Sequence, residues 1–465
     1  MTAELRLADQ VLDLVRRTGL AAEAEVLVDW QAQGLTRFAN SFIHQHVAEE
    51  TTTVQLVLHA DGRTATATTT RTDSDGLRQL VERTVASVRV APPDPGWPGL
   101  TPPANAHGQA GFDPATAAAT GQERAARVRG FVDAAGLPAA GYCETRTFRS
   151  AYANTAGQSA TDETTSATLD GIARRDGVDG TARLVSTRLA DVDGAWLGAQ
   201  AAAKAHAGVD PVELPPGRYE VVLEPTAVAD LLTNFALWGF SGLLYAQGRS
   251  FAELGAAQFD PVVTLVDDPF AEGSPGMAFD AEGTPKQRLV LVEEGVTRAV
   301  AHDRRTAAMV GGQARSTGHA LPGGHAGGLG AIPRHLGLLP SGQSVPASSA
   351  AGEVGVAHPT AADLVRSVER GLLVTDLWYT RVLDPKSMVV TGLTRNGVWL
   401  IEHGTITSPV MNLRFTQSYP QALAPGAVKG VGDAVTVLPT RLGRGAIRAP
   451  ALHLAAWNFT GGASG

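Results

Sequence analysis

Apolar residues recur at three- and four-residue intervals from Leu5 to Val15 (Leu5, Leu7, Ala8, Val11, Leu12, Leu14, Val15), the spacing of a helix that buries one face. After Gly19 the period shortens. The runs 24–29, 35–39, 54–58 and 64–68 read as strands, and Asp61-Gly62 between the last two has the chemistry of a hairpin turn. Helical spacing returns over 76–85 and is stopped by Pro92, Pro93, Pro95, Pro98, Pro102 and Pro103, which predict an extended, surface-running segment. A first subdomain closes near residue 90.

The same order then repeats. Residues 116–135 have helical spacing, and residues 141–189 alternate Thr, Ala and charged side chains like a second set of strands, broken at Asn154-Thr155-Ala156-Gly157 and at Asp176-Gly177. Beyond Pro215-Pro216-Gly217 come strand-like runs at 219–223, 262–266, 288–292 and 398–401, with Glu402-His403-Gly404 as a hairpin turn. One helix is expected there, at 225–245, apolar nearly all round (Leu231, Leu232, Phe235, Ala236, Leu237, Trp238, Phe240) and therefore buried. These patterns predict an α+β fold. An N-terminal α+β domain spans 1–213, with subdomains at about 1–90 and 112–213 joined by a Pro-rich linker, 91–111. A mainly β C-terminal domain with one buried helix spans 214–465.

Composition narrows the function classes. With 44% hydrophobic and 18% charged residues the chain has the makings of large cores. Its formal net charge of −8 repels nucleic acid and anionic membrane, so neither is expected as a partner. The acidic and basic residues of the N-terminal helix do not follow the order of a secretory leader, and no run approaches the ~20 apolar residues of a membrane span. One cysteine, Cys143, forms neither an internal disulfide nor a thiolate zinc cluster and fits a reducing compartment; a cytoplasmic location is expected.

Candidate chemistry is sparse. The chain has no Gly-x-Ser-x-Gly elbow, phosphate loop or dinucleotide fingerprint. The densest polar feature is the glycine-rich segment 311–335 with His319, His325 and His335, preceded by His302-Asp303-Arg304-Arg305. Three imidazoles are a possible divalent-metal set, but no nearby Asp, Glu or Cys completes it; the other reading is a loop that packs backbone closely or contacts a partner. The arginine fork of 304–305 suits a peptide carboxylate, against a plain surface ion-pair cluster. Contact with substrate is expected from Asp303, Arg304, Arg315, Ser316, Thr317, Gly318 and His319, because glycine freedom lets this loop approach another chain. No His or Glu occurs between Pro225 and Gly248, so the buried helix lacks the residues of a zinc peptidase helix.

Several segments, in order, resemble the TldD/PmbA (TldD/TldE) family of modulator-of-gyrase proteins: 37–41, 154–157, 216–225, 316–319, 371–377 and 392–410. The resemblance implies a two-domain fold whose active member is a zinc metallopeptidase carrying His-Glu-x-x-x-His on the helix that follows Pro225, with a downstream cysteine. Here Thr233, Asn234 and Trp238 occupy those places, and no cysteine follows Val374. An imidazole ligand cannot be replaced by Thr or Trp, nor a general base by Asn. The resemblance is thus to the TldE/PmbA type. It implies no catalytic residue, metal or cofactor in this chain, zinc in a TldD-like partner, and a heterodimeric protease that admits unfolded or small peptides, processes ribosomal peptide precursors and is linked to gyrase toxins. Two alternatives remain open: a stand-alone metal-dependent hydrolase using His319, His325 and His335, and a β-rich peptide-binding module without a protease partner.

Overall fold

The Thr2 hydroxyl accepts the backbone N–H of Leu5 and starts the helix Ala3–Arg17, whose Ala8, Val11, Leu12 and Val15 are buried. The computed structural model describes residues 1–106, 111–323, 328–339, 353–440 and 443–462. Three strands follow, β1 (Glu23–Ala39), β2 (Phe42–Ala60) and β3 (Arg63–Thr69), then the helix Ser74–Val90 capped by Asp73. The helix Gly121–Ala135, with a Thr120/Glu123 capping box, opens the second round: β4 (Ala139–Asn154), β5 (Ser159–Arg175), β6 (Val178–Ser186) and the helix Gly194–Ala207. The strands form one antiparallel sheet in the order β3-β2-β1-β4-β5-β6. Two helix–three-strand–helix units therefore meet at the central β1–β4 pair.

Alternation along the strands assigns the two faces of this sheet. Val26, Val28, Phe38 and Cys143 point to the helices, which cover one face in two hydrophobic clusters. Leu27, Asp29, Gln31, Gln33, Phe148 and Ser150 point the other way, toward the C-terminal region. The predicted breaks at 154–157 and 176–177 are in place. The runs 24–29 and 35–39, by contrast, are one strand: pairing with β2 runs from Glu23↔His59 to Ala39↔Phe42 with one register shift at Arg37/Phe38, and the half-exposed residues between hide the alternation.

In the C-terminal region Arg370–Asp384, Gly217–Leu223, Leu452–Gly462, Leu413–Ser418 and Val389–Glu402 pair in sequence, and the last pairs back on the first, closing a five-stranded barrel. A second sheet runs Val296–Thr297, Leu289–Glu293, Thr264–Asp267, Leu336–Leu339, Ala446–Ala449, Thr436–Pro439. Between barrel and sheet lies the helix Pro225–Asn234, its Leu231 and Leu232 in the same core as Phe415, Trp457 and Leu338. It does not continue to 245 as expected. A wide turn at Phe235–Gly239, with Phe240 N–H donating to Phe235 O at 2.8 Å, precedes a short helix Gly242–Ala246. Packing explains the break: Phe235, Phe240, Phe251 and Phe259 form an aromatic cluster, and a Cβ on Gly239 would sit 2.7 Å from the Phe251 ring. A helix at Arg304–Val310, absent from the expectation, also forms here. Among the described residues no helix is long and apolar enough to cross a membrane.

The helices Gly121–Ala135 and Gly194–Ala207 approach so closely that a Cβ on Gly198 would lie 2.1 Å from the Phe131 carbonyl oxygen. Gly198→Ala is expected to destabilise the chain by about 1–3 kcal/mol in urea unfolding, whereas Gly461→Ala, with nothing within 4 Å, should leave the midpoint unchanged.

Candidate functional site

A cavity of about 580 Å³ opens beside the buried helix. Thr226, Ala229, Asp230, Thr233, Asn234, Leu237 and Trp238 all line it, at the three- and four-residue spacing of a single helix face. Asp376, Leu377 and Thr380–Val382 come from the strand Arg370–Asp384, and Arg183 comes from β6. The positions that the family resemblance assigns to metal ligands therefore line one wall.

The polar groups on that wall bond to one another. Asp230 accepts from Asn234 Nδ2 at 3.1 Å and from Thr380 Oγ1 at 3.1 Å, while Thr233 Oγ1 donates back to Ala229 O at 2.7 Å. Across the cavity Asp376 accepts from Arg183 at 3.1 Å and from Asn396 at 3.3 Å. Hydroxyls, one amide, an indole and two carboxylates already engaged with protein donors do not fit a zinc centre, which calls for imidazole or thiolate. The described residues contain no group of three or more His, Cys, Asp or Glu able to hold a metal ion.

The strand at the mouth of the cavity is irregular. Register shifts interrupt its pairing at Val374/Asp376, Trp378/Arg381 and Val382/Asp384, and Tyr379 sits at φ 53°. Trp378, Tyr379 and Leu383 are thereby turned outward and exposed. Sequence reasoning found Thr233, Asn234 and Trp238 but missed Asp230, although it is on the same helix face. Thr380 and Arg183 are brought there by topology alone.

The seven residues proposed from sequence lie elsewhere, around a buried ionic hub. Asp267, fully buried, accepts from His319 Nε2 at 2.9 Å and from the His335 backbone N–H at 2.6 Å, with Lys286 Nζ at 3.6 Å. Burial alone would raise the Asp267 pKa, but Lys286 and His319 hold it well below the usual carboxylate range. His319 Nδ1 lies 2.9 Å from Thr317 Oγ1, and Ser316 and Thr317 are bonded to the His302 carbonyl. Gly318, at φ 77°, packs on Pro285, where a Cβ would meet the carbonyl oxygen at 2.8 Å. Asp303 is a buried N-cap whose carboxylate binds Thr306. The Arg304 guanidinium donates to Pro98 O and Gly99 O, tying the two halves of the chain.

Of these seven residues Arg315 is exposed, Arg304, Ser316 and Thr317 are half-buried, and Asp303, Gly318 and His319 are buried. Of the three histidines of the other reading, His319 and His335 are described, and the buried His335 Nδ1 has no hydrogen-bond partner among the described residues. Both ring nitrogens of His319 are occupied, His335 Nε2 donates to Pro275 O at 3.2 Å, and His325 lies outside the described residues. Nor is the Pro-rich segment purely on the surface, since Leu100 and Thr101 are buried and Thr101 donates to Glu282 O.

A second buried group spans both halves. Burial lifts Glu25 to about 7 despite the bond from Tyr152, lifts Asp280 to about 6, and, together with Asp280, raises Glu282 well above the usual range.

Comparison with known proteins completes the picture. A family model described as PmbA/TldA metallopeptidase C-terminal domain matches residues 216–461. A metalloprotease from Methanothermobacter thermautotrophicus is 33% identical over 108 residues, 22% of this chain and 24% of that protein. In structure, TldE from Thermococcus kodakarensis superposes with a TM-score of 0.84 over 97% of this chain and 100% of its own, at 18% identity. A protein from Thermotoga maritima described as a modulator of a DNA gyrase gives 0.79 over 98% and 99%, at 17% identity. At these identities the two structures establish the fold alone.

The hub sets two expectations. Asp267→Asn leaves the buried Lys286 without its counter-charge and should cost about 3–5 kcal/mol in urea unfolding. Burial pushes His335 from 6.5 down to about 3, so between those pH values the unfolded chain binds a proton that the folded chain refuses. That contribution to stability is complete above 6.5 and is lost as pH falls, by ~1.4 kcal/mol per pH unit; Glu25 acts in the opposite sense between 4.5 and about 7. Urea unfolding of His335→Gln should therefore lose less stability from pH 6.5 to 4.5 than the parent does; equal slopes would refute the assignment.

Proposed function

The chain belongs to the PmbA/TldD metallopeptidase family, and from that premise we propose that it serves as the metal-free, TldE-type subunit of a heterodimeric protease whose TldD-type partner carries the zinc. The supporting observation is the wall of the 580 Å³ cavity, where Thr233, Asn234 and Trp238 stand in the places that the family resemblance gives to His-Glu-x-x-x-His. Those side chains neither ligate zinc nor take a proton from a metal-bound water. The fold is kept while the donor set is not.

In this reading the substrate is unfolded or small peptide, including precursors of ribosomal peptides. A cavity of this size suits a few residues of an extended chain, and the interrupted strand at its mouth offers backbone groups for pairing beside the exposed Trp378 and Tyr379. Pairing through backbone groups tolerates many sequences. Contact with a partner or peptide would come from the loop residues Asp303, Arg304 and 315–319, of which Arg315 is exposed. The net charge of −8 argues against nucleic acid as a ligand, and the single buried thiol is compatible with a cytoplasmic location.

The test is zinc content and hydrolysis of casein or short peptides by this chain alone, then after mixing with a TldD-type protein from the same genome. We expect no stoichiometric zinc and no turnover alone, and hydrolysis in the mixture that disappears when the partner's His-Glu-x-x-x-His is mutated. Stoichiometric zinc with activity in the isolated chain would overturn the proposal.

A further inference from the structure

A second cleft, of about 290 Å³, separates the open face of the N-terminal sheet from the C-terminal region. Each side contributes an apolar patch, Leu27 and Phe148 from the sheet and Met277 and Phe279 from the facing loop, and the sheet side also presents Asp29, Gln31, Thr51, Thr53 and Ser150. Into it come two arginines. Arg444 is paired, with Asp162 and with Ser150 and Thr164 at 3.1 and 2.9 Å. Arg334 is not. Its side chain is buried, and among the described residues its one side-chain hydrogen bond runs from Nη2 to the Met277 thioether at 2.9 Å.

Among the described residues Arg334 forms no ion pair, and the remaining residues of the chain include no Asp or Glu. The two acids that line the cleft are engaged elsewhere. Asp29 accepts from Ser150 Oγ at 2.6 Å, and Asp280 accepts the backbone N–H groups of Glu282, Thr284 and Ala320. Burial and the nearby Arg444 push Arg334 down to about 10, which still leaves it charged at neutral pH. Asp267, Asp280 and Asp29 attract it from a distance, but a buried cation whose one hydrogen-bond acceptor among the described residues is a sulfur is the costly arrangement that a bound anion relieves.

We propose that this cleft binds a monoanionic carboxylate bearing an apolar group, with Arg334 receiving the carboxylate and the Phe148–Phe279 walls receiving the apolar part. Asp29 and Asp280 nearby disfavour a dianion such as phosphate, and the apolar walls disfavour a small hydrated ion. The same chemistry is carried by the C-terminal end of a peptide whose last residue is apolar and by a free aryl or alkyl acid. This site is independent of the cavity at Thr233 and does not rest on the subunit reading.

Calorimetric titration of the whole chain with N-acetylphenylalanine, its amide, the tripeptide Ala-Ala-Phe and inorganic phosphate tests it. The acid should bind, with the amide and phosphate at least tenfold weaker. A tighter tripeptide would identify a peptide end as the ligand, and equal affinity for the acyl amino acid would identify a small organic acid; either supports the proposal. Arg334→Met should lose binding tenfold or more while its melting temperature is kept or raised, and Asp29→Asn should bind several-fold tighter. Equal affinity for acid and amide, tighter binding of phosphate, or unchanged binding by Arg334→Met would overturn it, as would weaker binding by a folded Asp29→Asn.

Discussion

A single carboxylate, that of Asp267, organises the part of the molecule between its two halves. It ends a strand of the second C-terminal sheet and takes charge or hydrogen bonds from three other segments: Lys286, His319 and the backbone of His335. An isolated ion in such a dry site would neutralise itself. It stays ionised because its partners are fixed around it, and they are fixed because it is ionised. The loop Met277–Lys286, held at one end by Lys286, carries Asp280 and Glu282 against the N-terminal sheet. Through Arg304 and Thr101 the same loop holds the segment around Pro98–Thr101. The cleft lined by Met277, Phe279 and Asp280 is built on this loop.

Around the buried helix the constraint is steric rather than ionic. Aromatic packing ends the helix at Asn234 and forces the wide turn that follows, and the cavity wall keeps its spacing across that turn. A scaffold so fixed tolerates exchange of the side chains that face the cavity. Thr233, Asn234 and Trp238 line the cavity and are not among the buried hydrophobic residues of the core, so exchanging them would leave the packing of the helix in place.

Much of the N-terminal sheet was legible, because its turns fall at Asp61-Gly62, Asn154–Gly157 and Asp176-Gly177, where local chemistry decides the chain's path. The helix Gly194–Ala207 was not, since alanine and glycine give no hydrophobic period; its glycines serve close approach to a neighbouring helix, which only the assembled structure reveals. In the glycine-rich loop the close approach of Gly318 to Pro285 is likewise visible only in the assembled structure. The ionic hub joins residues 267, 286, 319 and 335, and no local pattern marks such a set. Two of the chain's four lysines, Lys204 and Lys286, are spent in buried ion pairs of this kind.

The near-twofold repeat of the N-terminal sheet has equivalent outer strands, β3 and β6, yet their surroundings differ. β6 is covered by strands of the C-terminal region and anchored there through Arg183 and Asp376. Among the described residues no strand of the C-terminal region covers β3 in this way, and an uncovered edge is the natural entry point for unwanted strand addition by another molecule. Its short Thr-rich run is blunted at Arg63, which bridges to Pro93, a residue with no N–H to extend the ladder. The proline-rich connection that links the two halves of the sheet thus also guards it against aggregation.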